Sequence, residues 1–142
     1  MNRITELWLA GVAPAQDGLF RADGSARRAQ TDSAMLSWFH LGAPCDLNAL
    51  LAADSGGVTC IDINPRCFAE LPDGTGYVCG GGGSHGSEGF FARLDVHKSP
   101  VWVVSLGESN PFERVTVEGD RAVFINNLGN SIAVDLTISD FA

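Results

Sequence analysis

Residues 90–104, FFARLDVHKSPVWVV, decide the fold that this chain is expected to adopt. From Phe90 to Val96 every second residue is apolar, and an alternation of period two predicts a β-strand buried on one face. Residues 101–104 are apolar at every position, which predicts a central strand covered on both faces. Because only a few residues separate the two strands, we expect them to be antiparallel neighbours.

The same alternation continues toward the C terminus in three further segments, residues 114–118, 122–126 and 131–138. Asparagine, glycine and proline residues stand between the segments, where they favour tight turns. Strands joined by such short loops are usually neighbours in one sheet. The sequence therefore predicts an antiparallel β-meander over about residues 76–138.

The N-terminal part, about residues 1–75, is expected to be helical and irregular. Apolar side chains recur there at helical spacing, and each segment has a capping residue or a stop signal. Three helices are predicted: residues 3–10, residues 32–41 with Thr31 or Asp32 as the cap, and residues 47–53 capped by Asp46. Between them, Asp23-Gly24 indicates either a hairpin or an ordered loop, and Val58 to Ile63 has the β-branched character of a strand.

This order of elements predicts an α+β fold, with N-terminal short helices packed on a C-terminal antiparallel β-meander that forms a curled sheet or a partly open barrel. An all-β, partly closed barrel with helical decoration is the alternative. The length of 142 residues, the mass of 15.0 kDa and the apolar fraction of 45% fit a single domain over residues 1–142 with its own core.

The chain is acidic, with a formal net charge of −8 and a sequence pI near 4.6. The acidic residues are spread along both halves of the sequence. This charge repels phosphate backbones and argues against nucleic-acid binding, whereas a basic protein surface would complement it. No signal peptide and no apolar run of about 20 residues is visible, so no membrane association and a cytoplasmic location are predicted. The four cysteines are expected to be reduced thiols.

The glycine-rich segment 80–89 is the first candidate for chemistry. Glycine-rich loops bind phosphates at the start of a helix with a lysine nearby, but here a strand follows and Lys98 is the first lysine. Ser84, His85 and Glu88 have the residue types of a catalytic triad, yet three residues within five positions of one loop rarely share a centre. A wide β-connection or a glycine-rich edge strand is the simpler interpretation.

Metal binding would use the three histidines and four cysteines, which lack ligand spacings such as C-x-x-C or H-x-x-x-H. The sequence thus predicts no metal, no cofactor, no catalytic residue and no enzymatic activity. Cys79 is the cysteine with the best prospect of exposure because it precedes the glycines, although burial in the sheet is favoured for it. Ser84 and His85 remain of interest as loop residues.

Acidic residues at strand ends and turns of the predicted meander are the candidates for partner contacts, because loop ends commonly carry binding residues. They are Glu88, Glu108, Glu113, Glu118 and Asp120. A solvated rim without a partner is the competing interpretation.

Several short motifs between residues 82 and 129 resemble a pattern in small bacterial proteins, some of them encoded near polymorphic toxins, that are similar to immunity proteins. The motifs are Gly83-Ser84, Gly89-Phe90, Val101-Trp102-Val103, Ser109-Asn110-Pro111-Phe112 and Asn127-Leu128-Gly129. The resemblance implies a small, acidic, cytoplasmic, non-enzymatic protein that blocks a basic toxin domain by binding it.

Three functions follow as hypotheses. The first is a protein-binding module, most simply an immunity protein that neutralises a cognate toxin through acidic loops. The second is a small-molecule-binding domain or small enzyme that uses the glycine-rich loop at residues 80–89. The third is a structural or oligomer-forming domain that pairs through a sheet edge or an apolar patch.

Overall fold

The computed structural model describes residues 2–53 and 57–138, which form two helices and twelve strands. In chain order they are α1 Arg3–Leu9, β1 Val12–Pro14, β2 Gly18–Arg21, β3 Ser25–Thr31, β4 Phe39–Asp46, α2 Leu47–Ala53, β5 Val58–Cys60, β6 Asp62–Glu70, β7 Tyr77–Gly82, β8 Gly89–Leu94, β9 Pro100–Leu106, β10 Phe112–Glu118, β11 Arg121–Asn126 and β12 Ser131–Asp135.

The strands form three antiparallel sheets. The central sheet has seven strands in the order β4-β3-β2-β9-β8-β7-β6, and it is open because β4 and β6 remain unpaired with each other. A second sheet has the order β10-β11-β12, and β1 pairs with β5 in a third. Strand β9 is the middle strand of the central sheet, as the apolar run at residues 101–104 predicts.

The predicted α+β class is wrong, because the chain is mostly β, with 53% strand and 10% helix. The N-terminal part supplies four strands of the central sheet, β2, β3, β4 and β6, instead of a helical layer. The hairpin alternative at Asp23-Gly24 is correct: Gly24 has a φ of 89° and turns β2 into β3. The local sequence pattern around Asp23-Gly24 was weak, and pairing with neighbouring strands determined that this segment is a β-hairpin.

Two of the three predicted helices are present. The side chain of Asn2 accepts a hydrogen bond from Thr5 N at 2.8 Å and caps α1. Asp46 caps α2 as predicted, accepting from Ala49 N at 2.9 Å. The sequence also predicts that Gly56-Gly57 stops this helix, and Gly56 lies outside the described residues. Neither described helix is long and apolar enough to cross a membrane.

The predicted helix over residues 32–41 is wrong. Residues 32–38 form the turn between β3 and β4, and Leu36 has a φ of 53°, which no α-helix allows. The side chain of Asp32 accepts from Ser37 N at 3.1 Å, so the expected cap stabilises a turn. The apolar residues from Phe39 onward pair with β3 instead.

The predicted β-meander is wrong because its strands belong to two different sheets. Strands β7, β8 and β9 belong to the central sheet, whereas β10, β11 and β12 form a separate sheet, and β9 does not pair with β10. Between them Asn110 has a φ of 61° and Pro111 lacks a backbone donor, so the chain leaves the sheet plane. It then folds back across the face of the sheet that it has just left. The predicted strand 58–63 is likewise divided between β5 and β6, which lie in different sheets.

Both faces of the central sheet are covered, which explains the apolar character of β9. On one face Phe91 stacks on Phe124 of the three-stranded sheet, with ring centroids 4.4 Å apart. Trp102 is buried in the same cluster. On the other face Val103 packs in a cluster with Ile4 of α1. The cover predicted from N-terminal helices is therefore supplied by a β-sheet on one side and by α1 with neighbouring elements on the other.

Candidate functional site

Five loops lie at one end of the molecule, because antiparallel strands bring alternate connections to the same end of a sheet. We call this group the loop end. It consists of residues 15–17, 32–38, 83–88, 107–111 and 127–130. These loops connect strands of all three sheets, so the loop end joins segments that are far apart in sequence.

Asn126 holds three of these segments together. Its side chain is 2% exposed, and its Nδ2 donates to the carbonyl oxygens of Ala34 at 2.7 Å and Ser109 at 2.9 Å. Its Oδ1 accepts from the backbone nitrogens of Leu128 at 3.0 Å and Asn130 at 2.9 Å. All four hydrogen-bonding positions of the amide are thus occupied.

Asn110 connects the next pair of loops. Its backbone nitrogen donates to Ser87 O at 2.8 Å, and its Nδ2 donates to Asn127 Oδ1 at 3.1 Å. The backbone nitrogen of Asn127 in turn donates to Pro111 O at 3.0 Å. The loops after β7, β9 and β11 are consequently bonded to each other as well as to their own strands.

Asp17 links the first loop to the loop after β9. Its Oδ1 accepts from Gly107 N at 2.8 Å. Partial desolvation raises the pKa of this carboxyl above its ordinary value of 3.8; the bond from Gly107 opposes the shift and the nearby charge of Glu108 adds to it. The loop end therefore brings two carboxylates from distant segments close enough to affect each other.

The segment 83–88 is fixed by contacts with β5. Glu88 Oε1 accepts from Thr59 Oγ1 at 2.9 Å and from His85 N at 2.8 Å. Ser84 Oγ accepts from Cys60 N at 3.0 Å and lies 3.0 Å from Thr59 Oγ1. Ser84 and Glu88, two of the residues of interest, thus share one network, in which His85 takes part through its backbone nitrogen.

Three of the four consecutive glycines at residues 80–83 lie in a β-strand. Residues 80–82 belong to β7, which lies between β6 and β8, so the interpretation as an edge strand is wrong. A Cβ added at Gly81 would collide with the carbonyl oxygen of Asp62 on the neighbouring strand. The glycines permit a close approach of backbones, and the loop proper begins at Gly83.

The loop end has an unusual surface composition. Its five segments contain no lysine or arginine, although they contain four acidic residues: Asp17, Asp32, Glu88 and Glu108. Three large apolar side chains are also exposed there: Met35 at 60%, Trp38 at 43% and Leu128 at 60%. Acidic and apolar groups therefore share one surface whose five segments contain no lysine or arginine.

The structure separates the five acidic residues chosen from the sequence. Glu88 and Glu108 lie at the loop end, whereas Glu118 and Asp120 lie at the opposite end, formed by residues 71–76, 95–99, 119–120 and 136–138. The seven residues of β10 separate the two groups by about 20 Å. Glu113 is exposed near the start of β10 and lines a groove with Asn64 and Arg66.

The opposite end is also acidic, but basic side chains accompany its carboxylates. Two adjoining open grooves of about 500 and 270 Å³ share Asp120 and Thr137. Hydrogen bonds from Thr137 lower the pKa of Asp135. Arg121 lines the first groove and Arg93 the second, and Arg93 Nη1 donates to Leu136 O at 3.3 Å.

The four cysteines occupy different environments. Cys60 is exposed and Cys45 half-buried, whereas Cys67 and Cys79 are buried. Burial raises the pKa of Cys67 to about 12 and also raises that of Cys79, with a smaller contribution from Cys67. Within residues 2–53 and 57–138, no three His, Cys, Asp or Glu side chains are grouped so that they could hold a metal ion.

Sequence reasoning missed Asn126, Thr59 and Asp17. Asn126 follows an alternation of apolar residues, and a polar residue at the end of a strand is only weak evidence that its side chain is buried and bonded. Thr59 and Asp17 gave no signal, because their partners lie 29 and 90 residues away along the chain. No protein-family model, curated protein or solved structure matches this chain.

Three of the five short motifs quoted from the sequence lie at the same end of the molecule. Gly83-Ser84, residues 109–111 and residues 127–129 all lie at the loop end. Gly89 begins β8 directly after it, and a Cβ there would collide with Asn110 O and Ser109 Oγ. The motifs at the loop end thus lie where the loops pack against each other, whereas Val101-Trp102-Val103 lies in β9.

Proposed function

We propose that this chain is a protein-binding module, an immunity protein that neutralises a cognate bacterial toxin domain by direct contact of its loop end with a basic surface of that toxin. The observation that supports the proposal is the loop end itself. Five segments are hydrogen-bonded into one surface that presents four carboxylates and three exposed apolar side chains, and the segments contain no lysine or arginine.

The bonding of the loops favours tight binding. Ordering mobile loops on association costs free energy, and loops already held by Asn126 and Asn110 avoid most of that cost. A preorganised surface of this kind suits a blocking protein, because its affinity derives from contacts that exist before the partner arrives.

The chemistry of the surface suits a basic partner. Carboxylates at Glu88 and Glu108 attract cationic side chains and accelerate encounter, an effect strengthened by the net charge of −8. Trp38 supplies a large apolar contact of the type that dominates binding energy at protein interfaces. In this arrangement Glu118 and Asp120 act at a distance, through the overall field, and the loop end makes the contacts.

Co-expression with a candidate toxin domain from the same genome tests the proposal, with cell survival and the dissociation constant of the purified complex as readouts. Glu108→Lys and Trp38→Ala are each expected to weaken binding about tenfold or more. Glu118→Lys is the matched control, since it changes the net charge equally at the opposite end, and about a twofold loss is expected.

Several results would contradict this assignment: failure to form a complex, an affinity that does not fall as salt rises, or equal losses for Glu108→Lys and Glu118→Lys. The proposal places the protein in the cytoplasm, where an immunity protein meets a toxin that attacks intracellular targets. Fractionation of the producing cells is the corresponding measurement.

A further inference from the structure

A small cavity lies beneath the segment 83–88, between the β1–β5 pair and the central sheet. Its volume is about 10 Å³, and its polar lining includes Thr59, Glu88 and Ser105. Apolar side chains such as Ile61 and Phe90 complete the walls. A space of this size accommodates one water molecule, provided that two or more polar groups face it.

Ser105 is the polar group that calls for a ligand. It is 4% exposed, and its Oγ has no hydrogen-bond partner among the described residues. Ser105 alternates with Val104 along β9 and therefore shares the face of Val103, which is the face covered by α1 and the β1–β5 pair. A hydroxyl buried without a partner costs free energy comparable to a lost hydrogen bond, so a partner inside the cavity would relieve that cost.

The hydrogen bonds that Thr59 and Glu88 already make determine whether the partner of Ser105 must donate, accept or do both. An ionised Glu88 only accepts hydrogen bonds, so the single hydroxyl proton of Thr59 goes to Glu88 Oε1. Thr59 Oγ1 also accepts from Ser84 N at 2.9 Å. Thr59 therefore has no proton left for Ser105, and a group that both accepts and donates is needed between Ser105 and the carboxylate.

We propose that the cavity binds one water molecule, which accepts the hydroxyl proton of Ser105 and donates a hydrogen bond to the Glu88 carboxylate. This water connects β9, the middle strand of the central sheet, to the segment 83–88. It serves as a positioning group for the loop, because it adds a bond to the side chain that already holds Thr59 and His85 N. The site does not depend on the proposed function, and either can fail without the other.

A high-resolution crystal structure of the full chain gives the direct test. Ordered density within hydrogen-bond distance of both Ser105 Oγ and a Glu88 oxygen is expected. An empty cavity, or a Ser105 hydroxyl turned away from it, would overturn the proposal.

Amide hydrogen exchange at His85 supplies a second readout that works in solution. Ser105→Ala keeps the cavity and removes the donor, so exchange at His85 is expected to be about fivefold faster than in the wild-type protein. If Ser105 had no bound partner, the same change would remove only an unpaired hydroxyl, and exchange would stay equal or slow down. Ser87→Ala, at an exposed position of the same loop, is the control and should leave exchange at His85 unchanged.

A small cation could also bridge hydroxyl and carboxylate oxygens, and one further measurement separates it from water. Replacing sodium chloride by choline chloride at equal ionic strength is expected to leave the unfolding midpoint and the exchange at His85 unchanged. Protection that requires sodium would overturn the assignment of water.

Discussion

The side-chain amide of Asn126 donates to the carbonyl oxygen of Ala34, 92 residues earlier in the chain, across 2.7 Å. This bond joins the end of β11 in the three-stranded sheet to the turn between β3 and β4 of the central sheet. Asn126 and Ala34 therefore connect two sheets at the loop end. The turn replaced a predicted helix, and the bond shows what holds its backbone in place.

Asn126→Ala is expected to lower the free energy of unfolding by about 3 kcal/mol, because two carbonyl oxygens and two backbone nitrogens each lose a hydrogen bond at a buried position of Asn126. Urea unfolding followed by fluorescence measures the change. Asn130→Ala is the control, since its side chain gives up one bond to Ala34, at 2.9 Å, and about 1 kcal/mol is expected. Equal losses for the two variants would contradict the central place given to Asn126.

Replacement by alanine is expected to destabilise the protein at a glycine of β7 but hardly at a glycine of the following loop. Gly81→Ala should destabilise the protein by about 3 kcal/mol, because its Cβ would collide with the backbone of β6. Gly86→Ala should change stability by about 0.5 kcal/mol or less, since a Cβ there meets no atom within 4 Å. Thermal unfolding of the two variants gives the comparison, and a Gly81→Ala protein as stable as Gly86→Ala would show that the strands can separate easily.

Stability is expected to depend on pH through Asp17 in an unusual direction. The folded protein holds the Asp17 proton more tightly than the unfolded chain, because partial desolvation raises the pKa of this group above 3.8. The contribution of Asp17 therefore weakens as pH rises through the raised pKa. Asp17→Asn keeps an oxygen to accept from Gly107 and should be more stable than the wild-type protein at neutral pH, an advantage that shrinks toward pH 3 or so.

Asp73 is the comparison for Asp17, because its pKa is shifted in the opposite direction. Hydrogen bonds from Thr75 lower the pKa of its carboxyl below 3.8, so its contribution is present above that value and is lost as pH falls through the lowered pKa. Asp73→Asn should therefore be less stable than the wild-type protein at neutral pH and equal to it in acid. Denaturant unfolding at several pH values measures both variants, and pH profiles of the same sign would refute the assignment.

Thiol labelling is expected to distinguish the cysteines. Cys60 is exposed and should react first with a maleimide at neutral pH, followed by the half-buried Cys45. Cys67 should react only on unfolding, because it is buried and its pKa is raised to about 12, which leaves almost no thiolate. Cys79, buried beside the glycine run, should behave in the same way. Mass spectrometry after timed labelling identifies the sites, and early labelling of Cys79 would contradict its burial.

The strands of the C-terminal part could be read from the sequence because each has a strong local pattern. The apolar run at residues 101–104 corresponds to β9, at the centre of its sheet and covered on both faces. The alternation from Phe90 to Val96 corresponds to β8, but this strand ends at Leu94 and is buried on both faces instead of the predicted one. Two of the three helices were predictable for a similar reason, since Asp46 and the residues after it specify α2 locally.

The candidate site was less predictable. The sequence indicated acidic loops and included Glu88 and Glu108, but it grouped them with Glu118 and Asp120, which lie at the other end of the molecule. The end to which a loop belongs depends on how many strands precede it in a sheet. The alternation of strands within the C-terminal part already separates the two groups, whereas the wrong helix over residues 32–41 hid that the turn before β4 reaches the loop end.

The sequence by itself determined that the C-terminal part alternates with a period of two, that β9 is central and that the chain is acidic, because these properties depend on residues near one another. Only the tertiary structure decided that Asn110 and Pro111 turn the chain out of the central sheet, so that Phe124 stacks on Phe91 from a separate sheet. The choice between continuing a sheet and folding over it depends on burying both faces of β8 and β9. The covering residues come from the whole chain, and no local pattern contains that information.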